Sequence, residues 1–493
     1  MLFHTTEFLF IFLPIVLMLY YVCGMLYWKI AFAWLSAASL FFYGWWDFTY
    51  VYLICSSIVF NYAGARLIFN TSKKSARNKK WLLLILVTIN ILGLIYFKYL
   101  MLFASTTNSI FHIEWDVGQI VLPIGISFYT FTQIAYLVDV YHGKEAERSF
   151  ISYSLFVLYF PHLVAGPILH HAEMMPQFND PASLRLNFFN IARGFTLLGI
   201  GLFKKVVLAD TCAPIAKRIF DEDLQNLSCL DAWSGALAYT LQIYYDFSGY
   251  SDMAVGLSLL FNINLPINFF SPYQSRNIID FWRRWHITLS RFLRDYLYIP
   301  LGGNRRGSTR KIVNLFITMA LGGLWHGANW TFLVWGVLHG VYLGINHAWR
   351  GLMQPYKALT TNPLYSTAAW TLTLVCVMVA WVFFRADSLE VAWQVLLAMI
   401  GLGSSSRFSV DDFPVKQVAG LMALLALAMF APSSNLLMRY FYGGSVKEAP
   451  SLPQWLAWKP NFAYGVLLGV LFFVTAVVGL TNHDSLEFLY FQF

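Results

Sequence analysis

Charge is what this sequence has least of. Only 12% of its 493 residues are Asp, Glu, Lys or Arg, too few to solvate the surface of a soluble chain of this length. Cysteine is scarce as well. The five present, Cys23, Cys55, Cys212, Cys229 and Cys376, form no CxxC pair and no cluster with histidine at ligand spacing, so neither a disulfide framework nor a metal centre is expected. No basic n-region precedes the first apolar run (8–24) and no A-x-A site follows it, which reads as a retained helix and not a cleaved signal. There is no internal repeat, no separate soluble domain and nothing that points to nucleic acid.

What the sequence has in abundance is apolar length. Hydrophobic residues make up 58% of it, in runs of about 16–25 residues, each able to cross or nearly cross a hydrocarbon core as helix. About eleven to thirteen such runs, transmembrane or re-entrant, predict an all-α polytopic membrane protein. The 18% of aromatic residues suits interfacial belts, and a net charge of +8 suits basic cytoplasmic loops beside anionic lipid.

"TSKKSARNKK" (71–80) carries five Lys/Arg in ten residues, which predicts a cytoplasmic loop. By alternation, "FHIEWD" (111–116) lies outside, "HGKEAERS" (142–149) inside and the N-terminus outside. Between 150 and 260, Pro161, Gly166, Pro167 and "DFSGYSD" (246–252) predict broken or re-entrant helices. Lys447 and Lys459 precede the last apolar run, 462–480, so the tail 481–493 is expected outside.

Three stretches carry candidate chemistry. In 275–307, Phe281, Trp285, Leu289, Phe292 and Tyr296 recur every three or four residues opposite Arg283, Arg284, Arg291 and Arg294, predicting one amphipathic helix that ends at Pro300. Its arginines either snorkel at an interface or grip the phosphates of a large anionic donor. His286 lies among them, a candidate for the polar end of a buried tunnel. The run 314–344 holds His326 and His339, ionisable groups at membrane depth. On a continuous helix the two diverge by about 220° and roughly 20 Å, so at most one is expected in a site. Gly322, Gly323 and Gly327 favour His326 by admitting close neighbours; Trp325 precedes it, and Asn329 would share its face. Finally, Asp246, Ser248, Tyr250 and Asp252 in "YYDFSGYSDMA" either line a wet cavity or satisfy an unwound backbone.

Taken in order, "LPIGISFYTF" (122–131), "FPHLVAGPI" (160–168), "LQIYYDFSGYSDMAVG" (241–256), "NFFSPYQSRNIIDFWRRWHITLSRFLRDYLYIPLGGNRRG" (268–307) and "NLFITMALGGLWHGANWTFLVWGVLHG" (314–340) resemble the membrane-bound O-acyltransferase family, in its alginate O-acetyltransferase branch. The resemblance implies helices around a central tunnel over 1–480. It places the family's catalytic histidine on His326 and its second histidine on His286, and implies a cytosolic acyl thioester, acetyl-CoA, as donor with no bound cofactor and no metal. His326 is then the general base; His286 and Asn329 orient the thioester or stabilise the oxyanion. Asp246, Ser248, Tyr250, Asp252 and Trp325 become tunnel-lining candidates.

A donor inside and a polymer outside require a carrier. Relatives that acylate surface polymers have a C-terminal aromatic motif with a tyrosine proposed for that role, and "FLYFQF" (488–493) resembles it, which makes Tyr490 the candidate acyl carrier. The plain alternative is an interfacial aromatic anchor. The implied setting is a bacterial inner membrane with a periplasmic acetyltransferase partner of the SGNH type. A transporter with broken helices, or an acyltransferase for a lipid or protein, are the rival readings.

Overall fold

The computed structural model describes residues 1–71, 75–222, 224, 227–403, 415–443, 452–481 and 488–489. Tyr490 and Lys447 therefore lie outside the described residues.

In hydrocarbon a backbone must bond to itself, and apolar runs of this length do so as helices. Among the described residues the regular structure is entirely helical. Five helices are long and apolar enough to cross a membrane by length and composition: Phe8–Leu26, Thr49–Asn70, Ala76–Phe111, Pro363–Arg385 and Phe462–Leu480. The other apolar runs expected to cross or re-enter form helices that are shorter or less apolar than these five.

The chain divides into two compact units. The first comprises Met1–Gly199 with Ser251–Pro266, the second Ile200–Tyr250 with Ile267–Phe493. In the first, Asn61 and Asn90 exchange side-chain hydrogen bonds of 2.8 and 3.1 Å between the helices Thr49–Asn70 and Ala76–Leu94. Buried amides without water must pair in this way. Tyr20 and Tyr21 donate to the carbonyls of Phe261 and Leu260, tying the first helix to the 251–266 segment.

The second unit departs from the sequence expectations in three places. "DFSGYSD" does not break a helix: Cys229–Leu260 is continuous over 32 residues. Gly249 serves packing instead, since a Cβ there would stand 2.8 Å from the Gly201 carbonyl. The stretch 275–299 is not one amphipathic helix but two short ones, Ile278–Arg284 and Ile287–Leu293, followed by a π-helical turn, Arg294–Tyr298. The break falls at Trp285 and His286, and the expected apolar stripe of Phe281, Trp285, Leu289 and Phe292 is buried in protein, not laid on an interface.

The third departure is the run 314–344. It is a hairpin of two helices, Gly307–His326 and Trp330–Leu352. Gly327 is extended and Asn329 caps the second helix by accepting from the Thr331 N–H at 3.2 Å. The arms pack glycine against backbone: a Cβ on Gly323 would collide with the Phe332 carbonyl, and one on Gly336 with the Met319 carbonyl. Small residues at four-residue spacing, Gly336, Gly340 and Gly344, allow that approach.

Candidate active site

His286 owes its position to a short backbone pairing. Phe270 N–H donates to the Arg284 carbonyl (2.9 Å) and Ile287 N–H to the Asn268 carbonyl (3.0 Å), which sets Asn268 beside the break between the two short helices. His286 turns the corner with φ 42°, in the left-handed region. There its Nδ1 lies 3.0 Å from Asn268 Oδ1. The same oxygen accepts from the Thr288 N–H and hydroxyl, at 3.3 and 2.9 Å. An oxygen that takes two donors from Thr288 takes a third from His286, so Nδ1 carries the proton and Nε2 the lone pair. Asn268 thus fixes the tautomer, a role that its place in "NFFSPYQ" does not announce.

His326 ends its helix, 3% exposed, with its ring centroid 6.2 Å from that of His286. The structure therefore brings together two histidines 40 positions apart. Their surroundings are aromatic: Trp325, Trp335 and Phe384 lie 5.0, 5.0 and 5.3 Å from the His326 ring, and Phe247 lies 4.8 Å from His286.

Because the hairpin turns at Gly327, His339 is not carried away from His326 as a continuous helix would carry it. Both imidazoles flank Trp335, at 5.0 and 4.9 Å. His339 is fully buried and its Nδ1 accepts from Trp282 Nε1 at 3.3 Å, while its Nε2 has no hydrogen-bond partner among the described residues. Asn329, expected to share the His326 face, spends its side chain on the cap and on donating to the Asp387 carbonyl at 2.7 Å.

The four arginines do not converge. Arg283 lines a cavity of about 840 Å³ together with Arg276, Arg350, Asp280, Asn277 and Trp349. Arg284 is ion-paired with Asp280 at 3.0 Å and borders a neighbouring recess of about 760 Å³. Arg291 donates to the Gly443 carbonyl, and Arg294 chelates the adjacent Asp295 at 2.7 and 3.0 Å. A cavity with three guanidiniums and one carboxylate is suited to polyanions; Arg276 and Arg350 belong to it, and neither was singled out by the helical pattern.

Asp246 is buried and ion-paired with Lys205 at 2.8 Å; Lys205 also meets Asp210 at 2.9 Å. Ser248 is buried on the same helix, and Tyr250 packs edge-on against Phe488 at 4.8 Å. Asp252 is buried too, on the part of that helix that belongs to the first unit. Lys205, hidden in "GLFKKVVLA", is the partner that the sequence pattern did not reveal. Among the described residues no group of histidine, cysteine and carboxylate side chains is arranged to hold a metal ion.

An all-helical, multi-pass membrane protein with an oriented, buried imidazole pair is the class these features define. Residues 147–385 match the family model of the membrane-bound O-acyltransferase family. The chain is 44% identical to the peptidoglycan O-acetyltransferase of Helicobacter pylori over 437 residues, 82% of this chain and 81% of that protein. It is 40% identical to a probable alginate O-acetylase of Azotobacter vinelandii over the whole length of both. A teichoic acid D-alanyltransferase of Streptococcus thermophilus is 31% identical over 46% of this chain and 57% of its own. The chain belongs to the membrane-bound O-acyltransferase family, in its alginate O-acetylase-like branch, and is an O-acyltransferase.

Proposed function

We propose that this enzyme takes acetyl groups from cytosolic acetyl-CoA and passes them across a bacterial inner membrane for O-acetylation of an envelope polysaccharide, delivered through a periplasmic partner of the SGNH type. The named activities of the three relatives have an acyl group and an envelope polymer in common, and that supports the acceptor class. The observation that carries the chemistry is the His286–His326 pair, 6.2 Å apart in an aromatic enclosure, with one tautomer held by Asn268.

In this reading the three-arginine cavity receives the phosphates of the donor, and the thioester reaches the histidines. His326 takes the proton of the attacking hydroxyl, the new C–O bond forms, the C–S bond breaks and the thiolate leaves as thiol after recovering a proton. His286, its Nδ1–H committed to Asn268, steadies the developing oxyanion when protonated at Nε2, or orients the base when neutral. Tyr490 is the first acceptor. Its aryl ester is reactive enough to pass the acetyl group on, since a phenol of pKa about 10 is a better leaving group than an alcohol. Both the start of the chain and the 481–493 segment face the periplasm.

The test is acetyl transfer from labelled acetyl-CoA by the purified enzyme in liposomes. His326→Ala is expected to lose at least about 100-fold in kcat, within the range for removing a general base. Tyr490→Phe is expected to abolish polymer acetylation while keeping the ring. Wild type incubated without acceptor should carry a base-labile acetyl group on the peptide containing Tyr490, absent in His326→Ala. Transfer by His326→Ala within tenfold of wild type would sink the base assignment, and full activity of Tyr490→Phe would leave that residue an anchor.

A further inference from the structure

A lysine buried to 2% exposure between two carboxylates is costly to desolvate unless every charge is met. Lys205 stands on the π-helical turn Lys204–Ala209, with Asp210 five residues on and Asp246 on the facing helix. Asp246 uses Oδ1 for Lys205. Its other oxygen, Oδ2, accepts from the backbone N–H of Leu489 at 3.1 Å. Leu489 is 243 positions further along the chain than Asp246, and it and Phe488 are both buried, at 8% and 1% exposure. Phe488 lies with its ring 5.0 Å from Lys205 Nζ and edge-on to Tyr250. The segment is therefore held by three unlike contacts: a charge-assisted hydrogen bond to backbone, a cation over an aromatic face, and an aromatic edge.

We infer that Lys205, Asp246 and Tyr250 form a receptor for the chain's own segment Phe488–Leu489, fixing the backbone one residue before Tyr490. The clamp reads backbone at 489 and a ring at 488, so it sets register and not merely proximity. It also sits next to the histidines. Asp246 and Phe247 are adjacent on one helix and point about 100° apart, and Phe247 is the residue packed against His286. One helix face thus holds the segment while the neighbouring position walls the imidazole pair. The docking stands on contacts alone; its catalytic consequence rests on the carrier reading of Tyr490. Lys205 and Asp246 are positioning residues in that scheme.

The experiment is hydrogen exchange by mass spectrometry on the full-length enzyme in nanodiscs, following the peptide that covers 488–493. The Leu489 amide is expected to exchange at least about tenfold slower than in the free peptide, as a charge-assisted bond to a buried carboxylate requires. The double substitution Lys205→Met and Asp246→Leu removes the clamp's two charges and leaves Asp210, the lysine's other partner and 14% exposed, without its ion pair. It should return that amide to the free-peptide rate while peptides across 307–352 keep their protection. In the acetyl-transfer assay the same variant should lose kcat with the donor KM unchanged. A Leu489 amide that is unprotected in the wild type overturns the inference whatever the variants do, and so does protection that survives the double substitution. Full activity of Tyr490→Phe with Leu489 still protected would remove the carrier reading and leave the docking in place. Loss of activity in Tyr490→Phe with an unprotected Leu489 would do the reverse.

Discussion

At the scale of single residues, the candidate site was legible where a residue type is expensive in its surroundings. His326 and His286 stood out as imidazoles in apolar or basic runs, and the fold brings them to 6.2 Å. Asn268 and Lys205 did not stand out, because an asparagine in a loop and a lysine at the edge of an apolar run are ordinary; only the tertiary pairings give them meaning. The arginines divide along the same line. Arg283 faces a cavity with Arg276 and Arg350, whereas Arg294 is neutralised by Asp295. Arg283→Ala is therefore expected to raise the KM for acetyl-CoA about tenfold at low salt, with a smaller ratio at high salt, as a phosphate contact demands. Arg294→Ala should change it less than twofold. Equal effects of the two in initial-rate kinetics at two ionic strengths would remove the cavity from the donor's path. The left-handed backbone at His286 adds a second reason for care: replacing it by alanine keeps a strained Cβ, while glycine relieves strain of about 1 kcal/mol.

At the scale of elements, the helical periodicity of 314–344 predicted one long helix because nothing in a run of apolar residues marks a tight turn between two helices of the same composition. Gly327 and Asn329, which the pattern presents as room for a close neighbour and a polar partner, act instead as extended linker and N-cap. The same ambiguity affects "DFSGYSD", where a glycine that suggested a break gives close contact inside an unbroken helix. The hairpin yields a graded prediction. Gly323→Ala drives a methyl into the Phe332 carbonyl, whereas a methyl at Gly344 meets only Ile312 Cγ2 at 3.4 Å. Gly323→Ala should lower the melting temperature in detergent by an amount matching about 1–3 kcal/mol of overpacking, and kcat should fall as His326 shifts. Gly344→Ala should melt within a degree or two of wild type, a span that reflects about 0.5 kcal/mol at most. If the two variants melt together, the glycine stripe does not set the hairpin spacing.

At the scale of the whole molecule, composition alone gave the class: a chain that is 58% hydrophobic and 12% charged has no soluble alternative. What composition did not give was the division of labour between helices that face lipid and helices that hold chemistry. The five long apolar helices have between 6% and 44% of their apolar windows buried, and the most buried of them, Pro363–Arg385, reaches His326 through Phe384; Cys229–Leu260 and the hairpin are not among the five. One of the five, Ala76–Phe111, runs for 36 residues through the π-helical turn at Ile95–Tyr99 with only 11% of its apolar window buried. At 1.5 Å per residue that is about 54 Å of rod, against a hydrocarbon core of roughly 30 Å. A lipid-facing rod longer than its solvent layer must tilt, emerge or thicken the bilayer around it, at a fraction of a kcal/mol per Å. Its first residues, Ala76–Lys80, carry three basic side chains that belong in water, and if the rest stays in hydrocarbon the activity follows membrane thickness. Reconstituted in phosphatidylcholines of increasing acyl length, it should be most active in the thicker bilayers and lose several-fold in the thinnest; a flat profile would mean that the excess length emerges into water. A protein that modifies the cell's outer layers would then sense, through one helix, the thickness of the bilayer in which it sits.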